Sequence, residues 1–429
     1  MKRKLSVVFL LTWSVVFVSC GGTSGSADEQ LSKDQVRQLG KADWWDDFCE
    51  LFGWYGDGVC DEFCPLPDPD CAGQQDNRPD KLWGIDANYL GLFESEEIPC
   101  VWMQDGREID PLVEAAEQGA KVFRMRIWIE NPENGEPGIL EDTLPLALRA
   151  QDAGLYVIPT LFLSKGWGAD SSQYPPRDWM DTDLQARAER VRRWTEKTVG
   201  ALLTAGIDTR TYAIGNETDY GFCGEFEYGA SPDRLQKYVW PRAAVLLAAA
   251  EQGVRNASGR DDLEFILHIS RGQEPTFATK FFAFMRGQGV QVDLAGLSYY
   301  PSSWGQEGFS KFPETVDSLY ERLGLPVFIA EYAYPALDPA SVDPQQGKWW
   351  NRQIDGYPFS EEGQADFMRD LHAWMIKGDR LAGAVWWTPE EIHPTAMWSA
   401  LSLFQTGVYQ DQQLVSANPR QALFSLDGN

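Results

Sequence analysis

From Leu82 onward the chain alternates short apolar runs of strand length with longer stretches whose apolar residues recur every three or four positions. The apolar runs are LWGIDA (Leu82–Ala87), KVFRMRIW (Lys121–Trp128), LYVIPTLF (Leu155–Phe162), TYAIGNE (Thr211–Glu217), EFILHIS (Glu264–Ser270), DLAGLSYYP (Asp293–Pro301), PVFIAE (Pro326–Glu331) and AGAVWW (Ala382–Trp387). Helical patterns such as LQARAERVRRWTEKTVGALLTAG and EEGQADFMRDLHAWMIKG lie between them, the second stopped by Gly378. Strands alternating with helices predict a parallel sheet, and eight such units predict α/β architecture closed into a (β/α)8 barrel. A doubly wound open sheet is the other arrangement of these units. It requires a glycine-rich phosphate loop after the first strand, and GIDANYLG lacks that spacing.

Residues ahead of the barrel have a different texture. MKRKLSVVFLLTWSVVFVSCGG carries Lys2, Arg3 and Lys4 before an apolar stretch, Leu5 to Val18, that is too short for a stable span. It predicts an export leader over residues 1–20. FVSC followed by Gly21 and Gly22 resembles a bacterial lipobox, in which Cys20 becomes the lipidated first residue; simple cleavage nearby is the alternative. Residues 21–43 read as a tether. Residues 44–72 form a small acidic, Cys-rich knot: Cys49, Cys60, Cys64 and Cys71 predict two disulfides in an exported chain, with three connectivities open. Asp57, Asp61, Asp68 and Asp70 are candidates to ligate calcium, a hard cation, or only to solvate the knot. Residues 73–80 read as a linker and 81–429 as the barrel.

Charge narrows the partners. The chain has 64 acidic against 37 basic side chains, a net −27, three units more negative once Lys2, Arg3 and Lys4 are removed. Such a surface repels phosphate backbones, which excludes nucleic acid and suits neutral or cationic polymers. The 18 Trp, 15 Tyr and 22 Phe are mostly core material, but those at strand ends suit the C–H faces of sugar rings. The three histidines, His268, His372 and His393, are too scattered for a His-based metal site.

Chemistry is concentrated at two strand ends. YAIGNETDYG ends its apolar run in Asn216 and Glu217, and PVFIAEYAYP ends its own in Glu331. The C-terminal ends of barrel strands share one cleft, so these two carboxylates meet despite their separation in sequence. Retaining glycosidases use such a pair, one carboxyl to protonate the leaving oxygen and one to attack the anomeric carbon. A rim salt bridge explains one strand-end Glu well; it explains two, one of them preceded by Asn, poorly.

GNETDYG, LAGLSYYPSSWG, PVFIAEYAYP and GYPFSEEGQADF, with FRMRIWIENP and GADSSQYPPRDW, resemble family 53 glycoside hydrolases, the arabinogalactan endo-β-1,4-galactanases of the Glu-Glu barrel clan. The resemblance runs from about Trp83 to the C-terminal region. It implies a retaining, endo-acting enzyme on a plant-type β-linked polysaccharide with no cofactor required; the structural calcium considered above belongs to the Cys-rich segment and not to this resemblance. Glu217 is then the acid/base and Glu331 the nucleophile. Asn216 would hold the sugar 2-OH, and Arg124 would keep the nucleophile ionised. Asp86, Trp128, Trp167 and His268 join the supporting or sugar-binding set. So do Tyr299 and Tyr300 near the nucleophile, and Trp386 and Trp387 as a stacking floor, of which strand alternation turns only one inward.

The chain departs from the family pattern after the third strand, where Thr160, Phe162 and Lys165 replace Asp, His and Asp, and on the eighth, where Trp387-Thr388-Pro389 replaces Trp-Glu-Pro. Three readings therefore stay open: a galactanase-like enzyme, another barrel-clan glycanase such as a mannanase or xylanase, and a carbohydrate-binding surface lipoprotein without turnover. Cys100 and Cys223 fall in rim loops, free or bridged. The expected protein is a monomer that touches the membrane only through its lipid, at the cell surface or in the periplasm, or else is secreted. Labelled fatty acid is expected to enter the wild-type chain and not Cys20→Ala; incorporation into both, or neither, overturns the anchor.

Overall fold

A computed structural model of the protein describes residues 49, 52–55, 64, 77–95, 100–132, 136–410 and 413–427. Eight strands form a closed barrel: β1 (Leu82–Asp86), β2 (Val122–Ile127), β3 (Tyr156–Leu161), β4 (Thr211–Ile214), β5 (Glu264–Ile269), β6 (Leu294–Tyr299), β7 (Val327–Tyr332) and β8 (Leu381–Trp387). Each pairs in parallel with its neighbours in chain order, and β8 closes on β1. Helices α1 (Pro111–Glu117), α2 (Leu140–Asp152), α3 (Leu184–Thr204), α4 (Trp240–Ser258), α5 (Pro275–Gly287), α6 (Pro301–Leu323) and α7 (Glu361–Ile376) lie between the strands. The side chains of Asp183 and Ser360 accept backbone N–H groups at the starts of α3 and α7, each such cap contributing about 1 kcal/mol.

Alternation along the strands sorts the residues. On β2, Phe123, Met125 and Ile127 pack in the layer beneath the helices, while Val122, Arg124 and Arg126 occupy the other face. Leu82, Val122, Ile158, Ala213, Ile266, Leu294, Phe328 and Val385 fill the barrel interior as an apolar plug. Beyond that plug, toward the strand C-termini, the buried residues turn polar: Asp86, Arg124, Arg126, Asn216, His268, Ser298 and Glu331. An apolar base beneath a polar layer is what places the cleft at that end.

Two local departures from regular strands matter. The predicted fourth strand ends early, at Ile214, because Gly215 turns the chain at φ 75°. A Cβ there would sit 2.6 Å from the Thr218 side chain and 2.9 Å from the Phe222 ring, so glycine alone fits. On β7, Ile329 and Tyr332 face Ala384 and Trp386 of β8, so three steps on one strand match two on the other. This bulge turns Glu331 into the cleft; regular alternation from Phe328 and Ala330 would send it toward the helices.

Ahead of the barrel, Cys49 and Cys64 form a disulfide with Cα atoms 5.7 Å apart, packed with Trp54. Cys20, Cys60, Cys71, Asp57, Asp61, Asp68 and Asp70 lie outside the described residues. Cys100 and Cys223 are both free and buried, so no bridge joins them. Among the described residues no helix is long and apolar enough to cross a membrane, and no group of three or more His, Cys, Asp or Glu side chains could hold a metal ion. Arg78 makes a two-pronged ion pair with Glu264 at the start of β5, both bonds 2.9 Å, so the expected linker is anchored to the barrel before Lys81. A chain beginning at Asn77 is expected to unfold cooperatively in urea. One beginning at Lys81 should be less stable by about 1–2 kcal/mol, the worth of a charge-assisted pair. An insoluble Asn77 chain would show that the Cys-rich segment belongs to the core.

Candidate active site

Arg124 is the hub of the polar layer. Its Nη1 lies 2.8 Å from Asp86 Oδ2 and 3.1 Å from Glu331 Oε1, and its Nη2 donates to Asn216 Oδ1 at 2.7 Å. Asp86 also pairs with Arg126 at 3.0 Å and accepts from Asn88, so it holds the two arginines and is itself fully buried. The second oxygen of Glu331 accepts from Tyr300 Oη at 2.9 Å. Tyr300 follows the end of β6, and its phenol stays protonated because burial and the charge of Glu331 push it well above its ordinary value.

Glu217 follows Asn216 in a left-handed backbone conformation, φ 45° and ψ 57°, a costly geometry for a residue with a Cβ. Its Oε1 is 2.8 Å from Ser298 Oγ, and its Oε2 faces the Asp170 N–H at 3.4 Å. Asn216 is fixed on all sides: Nδ2 donates to Gly168 O at 2.7 Å, while Oδ1 receives both Arg124 and His268 Nδ1, the latter at 2.9 Å.

The two carboxyls differ electrostatically. Burial, then the charges of Glu331, Asp170 and Asp219, push Glu217 well above the usual carboxylate range. Burial also raises Glu331, with the Arg124 guanidinium and the Tyr300 hydroxyl pulling back. Arg124, expected to keep Glu331 ionised, offsets only part of the desolvation that raises this carboxyl, and what remains is a difference in surroundings between the two groups. Asp219, buried and held by the Ser270 and Arg271 N–H groups, is raised to about 6 by burial. A site with one strongly proton-holding carboxyl and one carboxyl backed by a guanidinium can do acid and nucleophile chemistry together.

The aromatic predictions divide. Trp387 lies over Arg126 at 4.7 Å and lines a pocket of about 240 Å³ with Tyr89, Glu136, Trp167, Glu391 and Trp398. Trp386 is on the other face of β8, packed on Tyr332 and donating to Leu401 O, so it is core. Tyr299 likewise stacks on Phe312 of α6 at 4.0 Å and does not meet Glu331. Trp128 is buried behind Trp167, ring centroids 5.2 Å apart. Of the residues not anticipated, Arg126 lies among Tyr89, Trp167 and Trp387. Its signal was available, since it shares a strand face with Arg124. Ser298 and Asp170 had no comparable mark.

The family model described as Glycosyl hydrolase family 53 matches residues 82–428. The chain belongs to this family. It is 26% identical over 335 residues to the arabinogalactan endo-beta-1,4-galactanase of Cellvibrio japonicus, covering 74% of this chain and 82% of that protein. It is 26% identical over 316 residues to a probable arabinogalactan endo-beta-1,4-galactanase A of Aspergillus terreus, covering 72% and 84%. The fold is shared with a fungal beta-1,4-galactanase (TM-score 0.66, 20% identity, 81% of this chain and 99% of that one). It is shared equally with the family 53 catalytic domain of Ignisphaera aggregans (TM-score 0.66, 23% identity, 81% and 96%).

This family 53 chain therefore carries a glycoside hydrolase fold, in which the residues singled out after β3 take different places. Phe162 is buried beneath Arg124, its ring 5.9 Å from the guanidinium, and near Trp167. Lys165 turns to Glu130 at 3.7 Å. Tyr300→Phe tests the electrostatics. Losing the donor to Glu331 disfavours its ionised form, so the acid limb of the pH–rate profile is expected to move to higher pH and kcat/KM to fall about 10-fold or more, the worth of a hydrogen bond to a charged group. An unmoved limb would show that Glu331 is not the group ionising there.

Proposed function

We propose that the protein is a retaining, endo-acting β-glycosidase that hydrolyses β-1,4-linked galactan or a related plant-type polysaccharide. The observation that carries this reading is that Glu217 and Glu331 belong to one hydrogen-bonded layer with unlike partners, Glu331 held by Arg124 and Tyr300 and Glu217 by Ser298. A protein that only bound sugar would gain nothing from burying two carboxyls beside each other. The galactanase names of the relatives support the substrate class.

In this reading Glu331, oriented by Arg124 and Tyr300, attacks the anomeric carbon while Glu217 gives its proton to the departing glycosidic oxygen. The C–O bond breaks and a glycosyl ester forms on Glu331. Glu217, now ionised, takes a proton from water, whose oxygen displaces the ester with a second inversion. One N–H of Asn216 is held by Gly168 O, which leaves the other for the sugar 2-OH. Trp387 and Trp167 line the pocket and would meet the sugar there. Side chains supply both the proton and the nucleophile, so no cofactor enters. The leader and Cys20 support an exported, lipid-tethered protein with the barrel displayed beyond residues 21–43 and the Cys-rich knot.

Glu331→Gln is expected to abolish turnover of every substrate. Glu217→Ala should retain glycosylation from an activated aryl glycoside, and azide should rescue it to a β-glycosyl azide. NMR of the first-formed product should show the β anomer. Because Phe162 and Lys165 remove polar groups from the wall, reducing-end release is expected to be weaker on unsubstituted galactan than on another β-linked polymer of a panel. An α product, or full activity in either variant, overturns the assignment.

A further inference from the structure

Ser298 and His268 are not accounted for by the chemistry above. His268 sits on β5 and Ser298 on β6, both buried in the polar layer. Gly296, opposite His268 in the strand register, lets the two strands approach: a Cβ there would lie 2.9 Å from the His268 Cα. His268 Nε2 is 3.0 Å from Ser298 Oγ, and Ser298 Oγ is 2.8 Å from Glu217 Oε1. A continuous hydrogen-bonded row thus runs Arg124, Asn216, His268, Ser298, Glu217.

Donors and acceptors along this row are fixed from its far end. Arg124 can only donate and Gly168 O can only accept, so the Asn216 amide has one orientation, with Oδ1 toward Arg124 and His268. His268 must therefore carry its hydrogen on Nδ1. Burial and the charge of Arg124 keep the ring neutral, which leaves Nε2 as a bare acceptor. The one hydrogen on Ser298 is then drawn to His268, and Ser298 turns a lone pair toward Glu217. That lone pair is satisfied only by a protonated carboxyl.

We propose that Ser298 and His268 are positioning residues for the acid: through the fixed His268 tautomer they hold the proton on Glu217 until the glycosidic oxygen takes it. This rests on the reading of Glu217 as the acid. When the proton leaves, the Ser298 hydroxyl rotates from His268 Nε2 to the new carboxylate, and it returns when water reprotonates Glu217. His268 and Ser298 keep their own hydrogens at both steps, and only the Glu217 proton is transferred. The other groups facing Glu217 and the row are Arg124 from β2, Asp170 after β3, Asp219 after β4, Tyr300 after β6 and Glu331 from β7, and they are the same in each variant below.

The test is the alkaline limb of the pH profile of kcat/KM on a natural polysaccharide, which reports loss of the acid's proton. His268→Asn keeps an N–H donor for Asn216 but removes the acceptor for Ser298, whose hydroxyl then turns to Glu217 and favours the carboxylate. The limb is expected to move about one pH unit lower, the size of one hydrogen bond to a charged group. Ser298→Thr, which keeps the hydroxyl, should leave the limb in place, and in a Ser298→Ala background, with no hydroxyl left to turn, His268→Asn should not move it. A limb that stays fixed in His268→Asn, with a rate loss equal at every pH, or that moves as far when His268→Asn is added to Ser298→Ala, overturns the proposal; His268→Ala, which also leaves Ser298 without its acceptor, decides it should His268→Asn not fold. Glu217→Ala on an activated aryl glycoside should lack the limb. If it keeps the limb, another group titrates there, and the acid assignment fails first.

Discussion

A guanidinium cannot be left alone inside a barrel. Arg124 is fully buried, and its charge is balanced by Asp86 beneath it and Glu331 beside it, with Asn216 taking a further N–H. Removing one partner from such a group costs about 3–5 kcal/mol, because the remaining charge stays buried. The rest of the polar layer is arranged around that constraint. Asp86 spans two arginines, Asn216 is oriented by one of them, and the orientation of Asn216 decides the tautomer of His268.

The consequence for the carboxyls is a matter of competition. Glu331 is buried and Glu217 partly so, and desolvation alone would favour the protonated form of both. Glu331 has a cation and a phenol to offset that cost, whereas Glu217 has three acidic neighbours and one hydroxyl. The absolute position of either group matters less than the ordering, which the geometry of five strands enforces.

Periodicity carried much of this. The eight apolar runs correspond to the eight barrel strands, and Asn216, Glu217 and Glu331 fell at strand ends because a parallel barrel collects its polar residues there. The same two-residue period separates Tyr300 from Tyr299 and Trp387 from Trp386: strand-end position alone brought both tyrosines to the site, whereas alternation already required one of the two tryptophans to turn away. What the period hides is any residue that violates it. Glu331 reaches the cleft only through a bulge, which leaves no mark in the order of side chains. Ser298 escaped notice for a different reason: a serine in a strand is ordinary, and its importance comes from what β5 puts next to it. The upward shift of Glu331 was equally hidden, since sequence names the cation beside it but not the depth of burial.

Glu217 occupies a left-handed backbone conformation that costs on the order of 1 kcal/mol in a residue with a side chain, and it holds a carboxyl partly withdrawn from water as well. Glycine at this point would relieve both penalties. Random change filtered only for stability would therefore drift away from glutamate here, and the drift would be downhill. A lineage of this fold that had given up turnover for adhesion would be expected to show a smaller or more flexible residue at 217, so this single backbone angle serves as a marker for sorting working enzymes from retired ones among chains of similar shape.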